Sequence, residues 1–226
     1  MRRFVWILAA FLAIPGAAAA QQQTSSPDSG QGTLDVPRWD LNASAGLFQG
    51  RPNDESEGWD HWYGDGRYTA SLGYYWTTHF KTEVEFATTG EGQRYTQEYV
   101  DIPGLPTPYP ISTEVFHHVR QTSARAVWQF GDNVWVHPYL NAGIVYEMER
   151  TRYRSPEQFY YPPGDPRMPI RPQLTGERES DRVGFTIGGG SKFYVSPNAY
   201  IHAGLQITRA KPSTSVTALA GIGIEF

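Results

Sequence analysis

The chain has 226 residues, a formal net charge of −4, no cysteine, 14% aromatic residues and 23 glycines. The absence of cysteine excludes a disulfide framework and thiolate chemistry, and the acidic balance argues against nucleic acid as a partner. A mean hydropathy of −0.49 excludes a bundle of membrane helices, but it suits a membrane β-barrel, in which only alternate residues meet lipid.

Residues 1–20 have the three parts of a secretory signal: Arg2 and Arg3, an apolar run from Phe4 to Ile14, and small residues from Gly16 to Ala20. The run is too short to span a bilayer as a helix, and cleavage is expected after Ala20. Residues 21–37 are rich in Gln, Ser, Gly and Pro and have no apolar period, so they read as a flexible leader.

From residue 38 the sequence alternates between apolar and polar residues, the period of a strand with two unlike faces. Eight such segments follow. Trp39, Leu41, Ala43, Ala45 and Leu47 alternate with Asp40, Asn42, Ser44 and Gly46; Tyr68 to Trp76 and Phe80 to Phe86 continue the pattern, the third with Lys81, Glu83 and Glu85 on its polar face. Thr122 to Phe130 alternates with Gln121, Ser123, Arg125 and Gln129; Val136 to Tyr146, Val183 to Val195, Ile201 to Thr208 and Val216 to Phe226 complete the set. Tight turns near 78, 132 and 197 alternate with longer connections at 49–65, 87–113 and 149–181 and a short one at 210–214. This is the asymmetry of short periplasmic turns and long external loops. Trp76, Phe80, Trp128, Phe130, Phe193 and Phe226 gather by the tight turns, and Tyr68, Phe86, Tyr146 and Phe185 by the long loops. Two aromatic girdles with aliphatic residues between them match the two interfaces of a bilayer.

With its cleavable signal, its alternating segments and the ending Gly221-Ile222-Gly223-Ile224-Glu225-Phe226, the chain resembles the small outer-membrane β-barrel superfamily that includes the OmpA transmembrane domain, OmpX and OmpW. The resemblance covers residues 38–226. It implies an all-β fold, an eight-stranded antiparallel up-and-down transmembrane β-barrel, in the cell outer membrane. It also implies that Phe226 is the assembly signal read by the barrel-assembly machinery. No wall-anchoring domain follows the segments, so an OmpA-type anchor is not implied.

Asp40, Lys81, Glu83, Glu85, Arg125, Lys192 and Glu225 fall on inward positions. An eight-stranded barrel is nearly filled by its own side chains, and charges removed from water must be paired. These residues therefore form either a plug of mutual ion pairs or the lining of a narrow polar conduit. Glu83 and Glu85 are two residues apart, but with Lys81 and Arg125 nearby they read as ion-pair partners rather than as a catalytic pair. The six histidines show no metal-ligand spacing, so no metal or cofactor is expected. A lipid A hydrolase or transferase would need a Ser, a His and an acid together; His118 with Ser112 and Glu114 is the nearest set. No serine motif such as GxSxG accompanies it, and His118 and Ser123 point to opposite faces.

The long connections are rich in proline and tyrosine, which suits either a recognition surface or loops stiffened over the barrel mouth. The lipid-facing parity of Ala142, Ile144 and Tyr146 continues through Met148 into Arg150, Arg152 and Arg154, with His118 and Arg120 brought beside them across the turn at 131–133. These five residues are candidates for binding lipopolysaccharide phosphates, since the guanidinium fork matches phosphate; the alternative is that the strand ends before Arg150 and the arginines are solvated. The expectation is a non-enzymatic barrel with a structural or surface-recognition role through its external loops. The alternatives are a narrow channel for small solutes, as the likeness to OmpW implies, and a lipid A-modifying enzyme. The expected partners are outer-membrane lipids, lipopolysaccharide and the barrel-assembly machinery; the sequence identifies no extracellular ligand.

Overall fold

The computed structural model describes residues 38–51, 63–102, 107–131, 135–160 and 168–226. The signal at 1–20 and the leader at 21–37 lie outside them, as do parts of the long connections. The strands in chain order are β1 (Trp39–Arg51), β2 (Tyr63–Tyr75), β3 (Phe80–Thr89), β4 (Gly92–Val100), β5 (Tyr109–Gln129), β6 (Val136–Ser155), β7 (Gln158–Tyr160), β8 (Met168–Arg171), β9 (Leu174–Ser196), β10 (Ala199–Ala210) and β11 (Ser213–Glu225). Antiparallel pairing runs β1, β2, β3, β5, β6, β9, β10, β11 and back to β1, an eight-stranded ring that leaves no open edge in the wall. The seam is completed by Phe226, whose backbone exchanges two 2.9 Å hydrogen bonds with Trp39. The chain thus forms an all-β, up-and-down barrel.

Side chains alternate in and out along each strand. In β1, Asp40, Ser44, Phe48 and Gly50 are buried inside while Trp39, Leu41 and Leu47 are exposed outside. The polar set is therefore the core, and the apolar set is the outer surface. Two tight turns sit where the sequence puts them, near 78, where Trp76 N–H bonds to the Phe80 carbonyl, and near 197. The turn near 132 begins at Gly131, whose φ of +86° suits a residue without a Cβ, and continues outside the described residues.

The stretches 87–113 and 149–181 differ from their reading as loops. β5 begins at Tyr109, β6 continues to Ser155, β9 begins at Leu174, and β7 and β8 form a small separate hairpin. The strand does not end before Arg150. Above a bilayer neither face of a strand has to be apolar, so the alternation fades while the hydrogen-bond ladder continues.

β3 and β4 are two parts of one rising strand. Thr88 pairs with Arg120 and Gly92 with His117, so one extra residue is inserted at Gly90-Glu91. Such a bulge reverses the parity beyond it. Odd-numbered residues face inward in β3, whereas in β4 Tyr95, Gln97 and Tyr99 face outward.

Candidate functional site

All seven inward charges read from the sequence are buried, Asp40 to 0% exposure, and the structure brings them into one ladder. At the tight-turn end Lys192 Nζ donates to Asp40 Oδ2 (2.6 Å), Glu225 Oε1 (2.8 Å) and the Tyr75 hydroxyl (2.9 Å), and lies 4.0 Å from the centre of the Tyr200 ring. Lys81 Nζ bridges Asp40 Oδ2 (2.6 Å) and Glu83 Oε2 (2.5 Å). Arg125 then joins Glu83 to Glu85 (2.7 Å), and Arg67 reaches Glu85 at 3.3 Å. Tyr200 and Tyr194 hydroxyls donate to Asp40 and Glu225, satisfying further carboxylate oxygens. Each of these cations touches at least one carboxylate, which is what allows charge to remain in an interior cut off from bulk water.

A second cluster lies at the other end of the lumen. Glu147 accepts from Gln121 Nε2 (2.5 Å) and Arg182 Nε (2.9 Å), Arg182 also binds Glu149, and Glu149 Oε1 meets His117 Nδ1 at 2.8 Å. Tyr63 stacks on His117 with ring centres 4.3 Å apart. Beside it Phe48, Tyr63 and Val119 form a buried apolar group, with the Arg67 guanidinium 5.9 Å from the Phe48 ring centre. Sequence reasoning missed Arg67, Glu147, Glu149 and Arg182 because each stands only one to three residues past a recognised strand end. Extending the period-2 parity by two residues on each side would have found most of them.

Between Asn42, Asn141, His202 and Gln206 the lumen keeps a cavity of about 40 Å³. Asn141 Oδ1 and His202 Nε2 are buried there without a protein partner among the described residues. The space suits about one or two bound waters, which would supply those bonds.

On the outside, beyond the exposed aromatics Phe86, Tyr146 and Phe185, the five candidate basic residues share one face. His118 pairs across the sheet with Arg150, Arg120 with Met148, and Glu114 with Arg154. A column of carboxylates on β9 stands beside the arginines, since Arg150 pairs in register with Glu179 and Arg152 with Glu177. Arg150 is engaged by Glu177 (2.5 Å) and Glu179 (3.7 Å), and Arg152 by Glu91. Arg120 donates to His118 Nε2 at 3.3 Å, and among the described residues neither it nor Arg154 makes an ion pair. The face is therefore a band of mixed charge, with β9 acids that the sequence reading did not connect to it.

Ser112, Glu114 and His118 all lie on β5. In an extended strand Ser112 and His118 are about 20 Å apart, too far for a serine and its base to meet. Among the described residues no group of three or more histidine or carboxylate side chains is arranged to hold a metal ion.

A family model described as "Outer membrane protein beta-barrel domain" matches residues 7–223. No curated protein matches the sequence. Similar solved structures include Ail, the attachment invasion locus protein of Yersinia pestis, at 16% identity and a TM-score of 0.49, covering 84% of this chain and 99% of that one. The N-terminal β-barrel domain of Pseudomonas aeruginosa OprF matches at 19% identity and a TM-score of 0.46, covering 83% and 97%. Neisserial surface protein A matches at 14% identity and a TM-score of 0.49, with the same coverages.

Proposed function

The chain belongs to the outer membrane protein beta-barrel domain family and resides in the outer membrane, and from that premise we propose that it is a closed, non-enzymatic barrel that carries a surface-recognition sheet. The observation that carries this reading is the buried ladder from Lys192 to Arg67, backed by the apolar group of Phe48, Tyr63 and Val119. A solute path would have to break several charge pairs at once, each strongly destabilised when only one partner is removed. That supports a plug over the narrow-channel alternative. Refolded protein in planar bilayers is expected to give no defined conductance steps; reproducible single-channel steps from the unmodified protein overturn the reading.

The outward basic residues, exposed on one face beyond the aromatics Phe86, Tyr146 and Phe185, are proposed to bind the phosphates of lipopolysaccharide. Arg120, with His118 beside it, and Arg150 stand nearest the aromatic girdle and carry most of the contact, whereas Arg152 is held by Glu91 and Arg154 lies farther out, in register with Glu114. Replacing Arg120 and Arg150 by Gln is expected to lower the thermal midpoint by about 2–4 °C in lipid A-containing membranes, a shift typical of a loss near 1 kcal/mol in a chain of this size. An equal loss in phosphate-free detergent counts against lipid binding.

Phe226 is proposed as the residue read by the barrel-assembly machinery. Its side chain is exposed at the tight-turn rim while its backbone closes the seam with Trp39. Phe226→Trp keeps an interfacial aromatic and is expected to assemble normally in cells; Phe226→Asp is expected to reduce the amount of heat-modifiable barrel in the outer membrane. Equal assembly of both sinks the assignment.

A further inference from the structure

We infer that the outward face of β4 is a saccharide-binding surface that takes the core oligosaccharide of neighbouring lipopolysaccharide, a step that rests on lipopolysaccharide surrounding the barrel. The bulge at Gly90-Glu91 creates this face. Had the register of β3 continued, Tyr95 and Tyr99 would point to the inner side of the sheet. With one residue inserted they point sideways, away from the barrel axis and toward whatever stands next to the protein in the membrane.

Height decides what that neighbour is. The upper aromatic girdle passes through Phe86, paired with Thr122, and Thr122 is paired with Tyr146. Tyr95 pairs with Glu114 and Tyr99 with Pro110, eight and twelve residues farther along β5 than Thr122. At 3.4 Å per residue and a strand tilt near 40°, Tyr95 stands about 20 Å and Tyr99 about 30 Å above the girdle. Acyl chains end at the girdle, and the phosphates of lipid A lie just above it, level with Arg120 and Arg150. The layer above the phosphates is sugar.

The chemistry of the face fits that layer. Gln93, Tyr95, Gln97 and Tyr99 alternate along β4 without a charge of their own, Glu114 of β5 standing opposite Tyr95, in contrast to the charged β9 face of the same sheet. Tyr95 and Tyr99 are 64% and 65% exposed, as open as the outward aromatics of the girdles such as Tyr68 and Trp76. Tyrosine offers a flat ring to the C–H face of a sugar and a hydroxyl to its oxygens, at little cost in side-chain freedom. Gln93 Nε2 donates to the Tyr95 hydroxyl at 2.9 Å, which fixes the ring and leaves the phenol proton for an outside acceptor. Phe116, the neighbour of Gln93 in register, already has the Arg152 guanidinium 6.0 Å from its ring centre. The two tyrosines are about 13 Å apart along the strand, a span for an oligosaccharide rather than a single ring.

The test uses the mature protein refolded into nanodiscs containing phospholipid alone, lipid A, or lipopolysaccharide with a complete core and no O-antigen, with the thermal midpoint as readout. The unmodified protein is expected to gain about 2–4 °C from the core over lipid A. Tyr95→Ala with Tyr99→Ala should lose that gain and keep the gain from lipid A, while Tyr95→Phe with Tyr99→Phe should retain most of it through the rings. A core-dependent gain that survives the alanine pair overturns the proposal, as does a loss of equal size in phospholipid alone, which would mark a purely structural role. Loss of a self-associated form in the alanine pair, or binding of a soluble glycan without any gain from the core, assigns the face to another partner and also overturns it. The Arg120→Gln, Arg150→Gln variant separates the two readings: it should lose the lipid A gain and keep the core gain.

Discussion

The barrel has walls of two heights. β1, β2, β10 and β11 run 12 to 13 residues, whereas β5, β6 and β9 run 20 to 23. A tilted strand crosses the hydrocarbon layer in about 9–11 residues, so the low wall is little more than a membrane span and the tall wall carries some ten residues beyond it. The chemistry divides in the same way. The low wall sets Asp40, Arg67 and Glu225 among the small polar residues Ser44, Thr69, Ser71, Ser215 and Thr217 and glycines that make room for large neighbours, as Gly223 does for the Tyr200 ring. The tall wall carries charge on both faces: Glu147, Glu149 and Arg182 inside, Arg150, Arg152, Glu177 and Glu179 outside. In the lumen, polar side chains are fixed by pairing with one another; on the outer face of the upper part the same residue types are half-exposed and free to meet partners.

That contrast can be broken most forcefully at Asp40. Asp40→Ala strips Lys81, Lys192 and Tyr200 of a shared acceptor and is expected to cost about 3–5 kcal/mol, the range for opening a buried ion pair, measured as a lower urea midpoint in a heat-modifiability assay. The loss should be the same with or without lipopolysaccharide. A cost below about 1 kcal/mol, the range of surface pairs, would mean that bulk solvent screens the ladder. The low wall's dependence on close backbone approach is tested at Gly221, where a Cβ would overlap the carbonyl oxygen of Ala43. Gly221→Val is expected to cost about 1–3 kcal/mol by overpacking. In the tall wall, Gly176→Ser should displace only the Tyr153 ring, which overlaps that Cβ position, and so cost less. Equal losses at the two sites would erase the distinction between the walls. The smallest effect is expected from Glu177→Gln, which frees half-exposed Arg150: little change of stability in detergent, and tighter rather than weaker binding of lipid A, because a competing carboxylate is gone. Weaker binding would assign the carboxylate itself to the lipid contact.

The eight wall strands, the choice of inward and outward faces and the seven inward charges were legible in the sequence. Period-2 alternation is a local property, and a bilayer outside with a polar lumen inside makes it strict. The two aromatic girdles were legible for the same reason. What faded was everything above the girdle. There the outer face is wet while the inner face stays polar, Arg150 and Glu177 are as acceptable outside as Glu149 is inside, and the pattern no longer says whether a strand continues. β6 continues to Ser155 because β5 and β9 supply its hydrogen bonds, a matter of neighbours rather than of its own residues. The ion-pair partners were hidden too: Lys192 and Asp40 are 152 residues apart and meet only when β11 closes on β1. The direction of Tyr95 and Tyr99 was decided last. One inserted residue at Gly90-Glu91 changes their face, and a bulge exists only relative to the strand it pairs with, so no single segment of the sequence contains it.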